Sequence, residues 1–388
     1  MVSATVGGAR YGVLLLWAIA AGAFFKFVLQ EGIARWQLAT GKTALEGWAD
    51  HLPAWVKWYF VVYLVFWTVA VSASLTNATG LGIANLTGGA ISQPWGAVVH
   101  SLIGFAFVFL GGYGSFEKFM KLLVGVMGFS ILFCAVFTMD DPLPAVRGMV
   151  PAIPVGSGTY VLSLIGGVGG SITMLSYNYW MREEGMRGAG FLSYVRGDIA
   201  IAYLFTAIFG MSIMLIANDA FFETGVALTN ADAVPRMAAA LGSVLGTFGR
   251  IAFSVGFWAA VFASLLGVWQ SVPYLYADFY GIIKKLPVDE RRELVRGTST
   301  PYRLGLAFIS LVPIPFAFTG QPIQVVIIYT IVSSLFVPFM AATLLYLNNR
   351  VPWTSTIPKN SLVTNLLLVA ILVLFAIVGA QEVLARLR

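Results

Sequence analysis

Between Leu164 and Gly185 the chain places four glycines in the five residues Gly166 to Gly170, then the run Met174-Leu-Ser-Tyr-Asn178, inside a stretch apolar enough to cross a bilayer. A helix in hydrocarbon must satisfy its own backbone, so a loosened segment is tolerated only where it is buried in protein or lines a cavity. Broken helices at mid-membrane depth are where many secondary transporters bind substrates and ions. The chemistry this implies is coordination and release rather than bond making. Asn178, just past the glycines, can offer its carbonyl oxygen to an ion or cap the lower half-helix. Tyr177 and Tyr179 read as packing or gating residues. A second set of candidates lies near the amino end, where Lys26, Glu31 and Arg35 fall inside one apolar span. Charges inside a membrane are expensive and are functional or paired. Glu31 and Arg35 are four apart on one helix face and can neutralise each other. Lys26 is at mid-span, where only snorkelling would bring its ammonium to water.

The elements that must position these residues are membrane helices. The chain is 59% hydrophobic and 10% charged, with a mean hydropathy of +0.85, whereas soluble domains carry roughly a quarter charged residues. Ten stretches reach the length a bilayer needs: 13–38, 55–79, 96–113, 117–138, 158–181, 198–217, 242–270, 303–319, 322–347 and 361–383. Residues 1–12 are helix-compatible but, at 1.5 Å per residue, cover about half a bilayer. Residues 278–303 carry a charge run that reads as a solvated loop. Lys and Arg set orientation. Lys42, Lys118, Lys121, Arg182, Lys284, Arg291 and most others collect on one side, and only Arg10, Arg147, Arg236, Arg250, Arg386 and Arg388 on the other. The expected topology therefore puts the carboxyl end outside, in a cytoplasmic (inner) membrane. Trp55, Trp58, Trp95 and Trp353 lie at span ends, as an aromatic belt requires. The net charge of +6 reads as topology, not nucleic-acid binding. The lone Cys134 permits no intrachain disulfide. No basic n-region leads into an apolar run at the amino end.

Three blocks carry a family resemblance. They are Gly8-Ala-Arg-Tyr-Gly12 continuing through Gln30-Glu-Gly-Ile-Ala-Arg-Trp-Gln-Leu-Ala-Thr-Gly-Lys42, then Gly169 to Ser176, and Trp258 to Ser271. Together they resemble the Nramp family of divalent-metal transporters, in its bacterial Nramp-related branch. The resemblance implies an all-α integral membrane protein of LeuT type. Its two inverted repeats would span about 1–138 and 158–347, with an extra helix at 361–383. The whole would be ten full transmembrane helices plus an amino-terminal half-helix. It also implies that the first and sixth family helices are broken and that metal sits between the breaks. The family's first break, Asp-Pro-Gly-Asn or a variant, would fall just before Met1. The expectation is therefore either a start upstream or a protein that has lost that carboxylate.

Carried over residue by residue, Met174 aligns with the family's metal-binding methionine, and Ser171 with a position whose backbone carbonyl binds metal. A thioether suits Mn or Fe more than Mg, which prefers oxygen and water. Gln270 matches a polar family position, and Thr330 stands where many members have a glutamine. Either residue can equally be an interhelical hydrogen-bonding group. The family continues Met-Pro-His, with a second His five residues on. Leu175, Ser176 and Met181 stand there, and the only histidines are His51 and His100. Proton coupling would then use other groups, with Lys26, Glu31 and Arg35 as candidates.

The expected function is a secondary transporter moving divalent metal ions, Mn and Fe favoured and Mg possible, by alternating access. The implied partners are a divalent metal ion, carried as substrate, and the lipid bilayer. No cofactor, nucleic acid or protein partner is implied. The alternatives are an amino-acid or other organic-solute carrier of the same fold, or a non-transporting membrane protein if Met1 is the true start. A membrane enzyme would need acid pairs, a metal-binding His pair or a nucleophile motif. Asp140-Asp141 is the one adjacent acid pair outside the charged loops.

Overall fold

The computed structural model describes residues 2–138, 143–224, 233–353 and 356–387, so Asp140 and Asp141 lie outside the described residues. The chain opens with α1 (Val2–Tyr11), a 3₁₀ turn (Gly12–Leu15) and α2 (Leu16–Thr40). These form a hairpin rather than one rod. Gly8 abuts Met214 and Ala217, and Gly12 abuts Asn218 and Phe222. The chain then returns, with Ile19 beside Gly210 and Gln30 bonded to Tyr203. Gly12 makes the reversal at φ +59°, a conformation that L side chains resist.

A short helix α3 (Ala44–His51) follows, held by a capping box in which Thr43 and Glu46 each satisfy the other's backbone amide. Next come α4 (Ala54–Leu86), α5 (Gln93–Leu110), α6 (Tyr113–Thr138) and the short α7 (Leu143–Arg147). The broken crossing is α8 (Gly158–Gly167) and α9 (Thr173–Glu183). Then follow α10 (Leu192–Phe221), α11 (Ala233–Ile283), the charged α12 (Val288–Leu294) and α13 (Thr300–Leu311). The chain closes with α14 (Pro322–Ser334), α15 (Phe336–Arg350) and α16 (Leu362–Leu387).

Nine helical segments among the described residues are long and apolar enough to cross a membrane. The broken pair supplies one more crossing, because it runs alongside α2 for its whole length. Ile165 touches Gly22, Gly166 and Gly170 meet Lys26, Met174 meets Gln30, and Asn178 meets Gln37. The hairpin counts once, as a half-helix and a full helix, so the bundle has the expected ten crossings plus a half-helix.

The element ends differ from the sequence reading for local reasons. The expected 242–270 span lies within a longer α11, where a helix before Gly246 joins the crossing through a kink (φ 66°, ψ −162°). The span expected to stop at 79 continues to Leu86. Gly80 there marks close packing, its Cα facing Gln93 O and Ala97 of α5, not a stop. The expected 322–347 span is interrupted at Leu335, because Pro338 has no amide to donate to Ser334 O.

Large apolar side chains face outward around the bundle, among them Phe66, Leu110, Phe129, Ile201 and Leu362. A water-exposed surface would not carry them in such number. Trp55, Trp58 and Trp95 are exposed as a belt requires, whereas Trp353 packs edge-on against Trp36 and donates to Ile357 O. Polar groups are inside: Thr68, Ser72, Thr76, Asn77, Ser101 and Asn348 are all buried.

Candidate functional site at the broken helix

The break is made by backbone. Helix α8 ends with Val168 extended (φ −67°, ψ 118°), and Gly169 and Gly170 follow at φ +64° and +71°. A side chain on Gly169 would strike the Tyr203 ring at 2.7 Å. Two consecutive left-handed residues end a helix, and they leave carbonyls of the upper half-helix without their usual amide partners.

Those carbonyls are met by a cation. Lys26 is fully buried, and its Nζ donates to Gly166 O at 2.6 Å and to Gly170 O. It does not snorkel. Two further donors follow on the same face of α2. Gln30 Nε2 donates to Met174 O at 3.1 Å and Gln37 Nε2 to Asn178 O at 2.8 Å. Positions 26, 30 and 37 are one and three turns apart, so α2 presents a stripe of long polar side chains along the broken helix. The sequence carried this signal in the 3.6-residue period, but only Lys26 of the three stood out as charged.

Two adjoining cavities open at the break. The larger, about 400 Å³, is bounded by Gly167 to Gly170, Thr173, Ser3, Ser74, Ser163, Ser264, Ser271, Tyr329 and Thr330 among mostly apolar side chains. Its hydroxyls are linked: Ser163 donates to Ser3 at 2.8 Å and lies 2.5 Å from Thr330 Oγ1. Ser271 Oγ is buried with no protein partner. The smaller, about 210 Å³, is lined by Gln30, Gly169, Thr173, Met174, Tyr177, Trp180, Asp198 and Tyr203. The two share Gly169, Thr173, Trp180 and Thr206.

The expected ligand residues divide among three places. Met174 is on the smaller cavity and Thr330 on the larger. Ser171 is buried at the break. Its carbonyl accepts from Met174 N at 3.1 Å. Gln270 is spent between helices, accepting from Trp180 Nε1 at 2.8 Å and donating to Tyr274 OH at 2.9 Å. Asn178 does not cap the lower half-helix. It lies inside α9, and its Oδ1 instead accepts from Ala44 N at the start of α3. Tyr177 OH donates to Asp198 Oδ2 at 2.6 Å. Asp198, like Gln30 and Gln37, is a residue that sequence reading missed: an acid in the second turn of α10 that a loop-adjacent position disguised. It puts a carboxylate and a thioether on one cavity, a donor set suited to a borderline transition-metal ion. Among the described residues no three of His, Cys, Asp and Glu cluster as a metal site.

The remaining charged candidates are ion-paired. Glu31 accepts from Arg35 at 3.2 Å and from Arg196 at 2.8 Å, tying α2 to α10. Arg35 also donates to Lys359 O and Asn360 Oδ1, holding the segment before α16. His100 is satisfied at both nitrogens, Nδ1 by Gly96 O and Nε2 by Trp258 Nε1. Below the break, Glu46 joins Arg182 of α9 at 2.8 Å and Arg291 of α12 at 3.3 Å. Asp278 accepts from Tyr179 and Thr43 at 2.7 and 3.1 Å. This network closes the α3 end of the bundle.

Comparison with known proteins places these features in context. The family described as natural resistance-associated macrophage protein-like (Nramp) matches residues 1–385. A divalent metal cation transporter MntH of Chromohalobacter salexigens is 24% identical over 278 residues, 67% of this chain and 63% of the relative. MntH of Klebsiella pneumoniae is 28% identical over 236 residues, 57% of this chain and 55% of the relative. The chain thus spans less than two thirds of the length of these curated relatives. Among solved structures, an Eremococcus coleocola manganese transporter variant superposes with a TM-score of 0.68 at 13% identity, covering 98% of this chain and 82% of that one. MhsT in complex with L-phenylalanine gives 0.65 at 15% identity, covering 97% and 92%. At such identities the likeness is one of fold, and that fold is the expected LeuT type.

Proposed function

This chain belongs to the Nramp family, and from that premise we propose that it is a secondary transporter of divalent metal ions in the cytoplasmic membrane. Family members are metal-ion transporters rather than enzymes. The observation that carries the reading is the break at 168–172, with Met174, Asp198 and Gln30 lining one cavity beside it. The thioether favours Mn and Fe over Mg, because magnesium holds its water and prefers hard oxygen. The ion would reach the cavity from one side of the membrane at a time. The repeats at about 1–138 and 158–347 would swing against each other, and the Glu46–Arg182–Arg291 network would open on the side where most Lys and Arg collect. That side is the cytoplasm by the positive-inside rule, which leaves the carboxyl end outside.

Met174→Ala tests the reading. Mn²⁺ uptake into proteoliposomes is expected to fall on the order of tenfold, the scale on which metal-site partners act, with Mg²⁺ uptake little changed. Equal loss for both ions, or for neither, would remove the ligand role. Asp198→Asn keeps an acceptor for Tyr177 but removes the charge, and it is expected to lower affinity for both ions.

A second reading has one observation in its favour. The larger cavity, at about 400 Å³, falls in the range that holds small organic ligands, and its described lining is hydroxyl and apolar without a carboxylate. An amino-acid or other organic-solute carrier would show uptake competed by amino acids and not by metal ions.

A further inference from the structure

Lys26 stands where an ion would stand. It has no exposed surface, and none of the ion pairs among the described residues includes it. Its ammonium is instead bonded to two backbone oxygens, Gly166 O and Gly170 O, one on each side of the point where α8 ends. Carbonyls at a half-helix C-terminus carry the negative end of the dipole and coordinate cations in transporters of broken-helix design. Gly167, Gly169 and Gly170, which flank these oxygens, also line the larger cavity, so the carbonyl pair adjoins open volume. A tethered ammonium there satisfies backbone that lipid could not, and it puts a positive charge beside the route of any cationic substrate.

We propose that Lys26 is a built-in cation that competes with the transported ion for the carbonyl pair of the break. The ammonium must withdraw before a metal ion can be held by Gly166 O and Gly170 O. Two like charges brought together at one pair of carbonyls repel, so the lysine sets the metal affinity of the site from inside the protein. This inference rests on the reading of the chain as a carrier of divalent ions.

The test is Mn²⁺ binding and Mn²⁺ uptake, measured on the parent chain and on Lys26→Met and Lys26→Arg. Methionine is one atom shorter, keeps the unbranched shape of the side chain and removes the charge. Mn²⁺ is expected to bind Lys26→Met about tenfold tighter or more, while Lys26→Arg, which keeps a cation at the carbonyls, stays at or below the parent affinity. A merely structural lysine would give weaker or unchanged binding in both variants, and that result would overturn the proposal. Should Lys26→Met not fold, Lys26→Ala purified with n-propylammonium restores the missing group in two pieces. Displacement of propylammonium by Mn²⁺ would support the proposal, and indifference to Mn²⁺ would overturn it. Tighter Mn²⁺ binding by Lys26→Met without Mn²⁺ uptake by any form sinks the carrier reading and leaves the competition standing. Mn²⁺ uptake by the parent with unchanged affinity in Lys26→Met does the reverse. No Mn²⁺ binding by any form sinks both.

Discussion

Met174, Asp198 and Lys26 come within one neighbourhood by three different routes, and each was legible to a different degree. Met174 was singled out through the family resemblance, which aligns it with a metal-binding methionine, and the structure puts it on the smaller cavity. Lys26 was readable as a costly charge in a span, but its partners were not, because backbone carbonyls leave no mark in a sequence. Asp198 was not readable at all, since an acid near a span end is ordinary until the fold turns it toward a cavity. Gln270 and Asn178 illustrate the converse. Their types suit a ligand, yet their hydrogen bonds go to Trp180, Tyr274 and Ala44, which only the packing of α3, α9 and α11 determines. For Glu31 the sequence left pairing with Arg35 and a functional role both open; the pair is present, and a second cation, Arg196, comes from α10. Glu31→Gln is therefore expected to remove the one carboxylate that Arg35 and Arg196 share. Losing one partner of a buried pair costs about 3–5 kcal/mol. Because Arg196 is partly exposed, the lower end applies, with a drop in melting temperature and little change in the Mn²⁺ to Mg²⁺ preference. A stable Glu31→Gln protein with altered ion preference would make Glu31 functional rather than structural.

At the scale of elements, crossings were visible because length and apolarity are one-dimensional properties, and the break was visible because consecutive glycines announce it. The ends of elements were not. The span expected to end at 79 runs on past Gly80, which serves the close contact of α4 with α5, while Gly246 kinks a helix that hydropathy alone would start afresh. The hairpin at Gly12 depends on a single positive φ, and its evidence is the way α1 and α2 climb and descend the same helix, α10. The break itself can be tested. Gly170 has φ +71°, and a Cβ there would lie 2.1 Å from Thr173 Oγ1. Gly170→Ala is expected to cost about 1–2 kcal/mol for the left-handed backbone alone, and to impair uptake more than it lowers stability, because the carbonyl bonded to Lys26 would turn. A melting temperature and uptake rate both equal to the parent's would mean that the break does not depend on this glycine.

For the whole molecule, ten crossings and a half-helix follow from composition, whereas the nesting of α8 and α9 against α2 follows from side-chain chemistry spread over separate helices. The proposed orientation rests on where Lys and Arg collect. With Cys134→Ser as background, Lys285→Cys is expected to react with an impermeant maleimide only from the cytoplasmic side. A cysteine at Gln381, near the carboxyl end, is expected to react only from outside. The opposite pattern would invert the topology and with it the side on which the Glu46 network opens. The account as a whole turns on what crosses the membrane. Mn²⁺ and Mg²⁺ uptake measured side by side in proteoliposomes, each with the other ion in excess as competitor, tests it most directly. The account expects Mn²⁺ uptake that excess Mg²⁺ barely slows. Uptake of neither ion, or Mg²⁺ carried as readily as Mn²⁺, would contradict a soft-donor metal site at the broken helix.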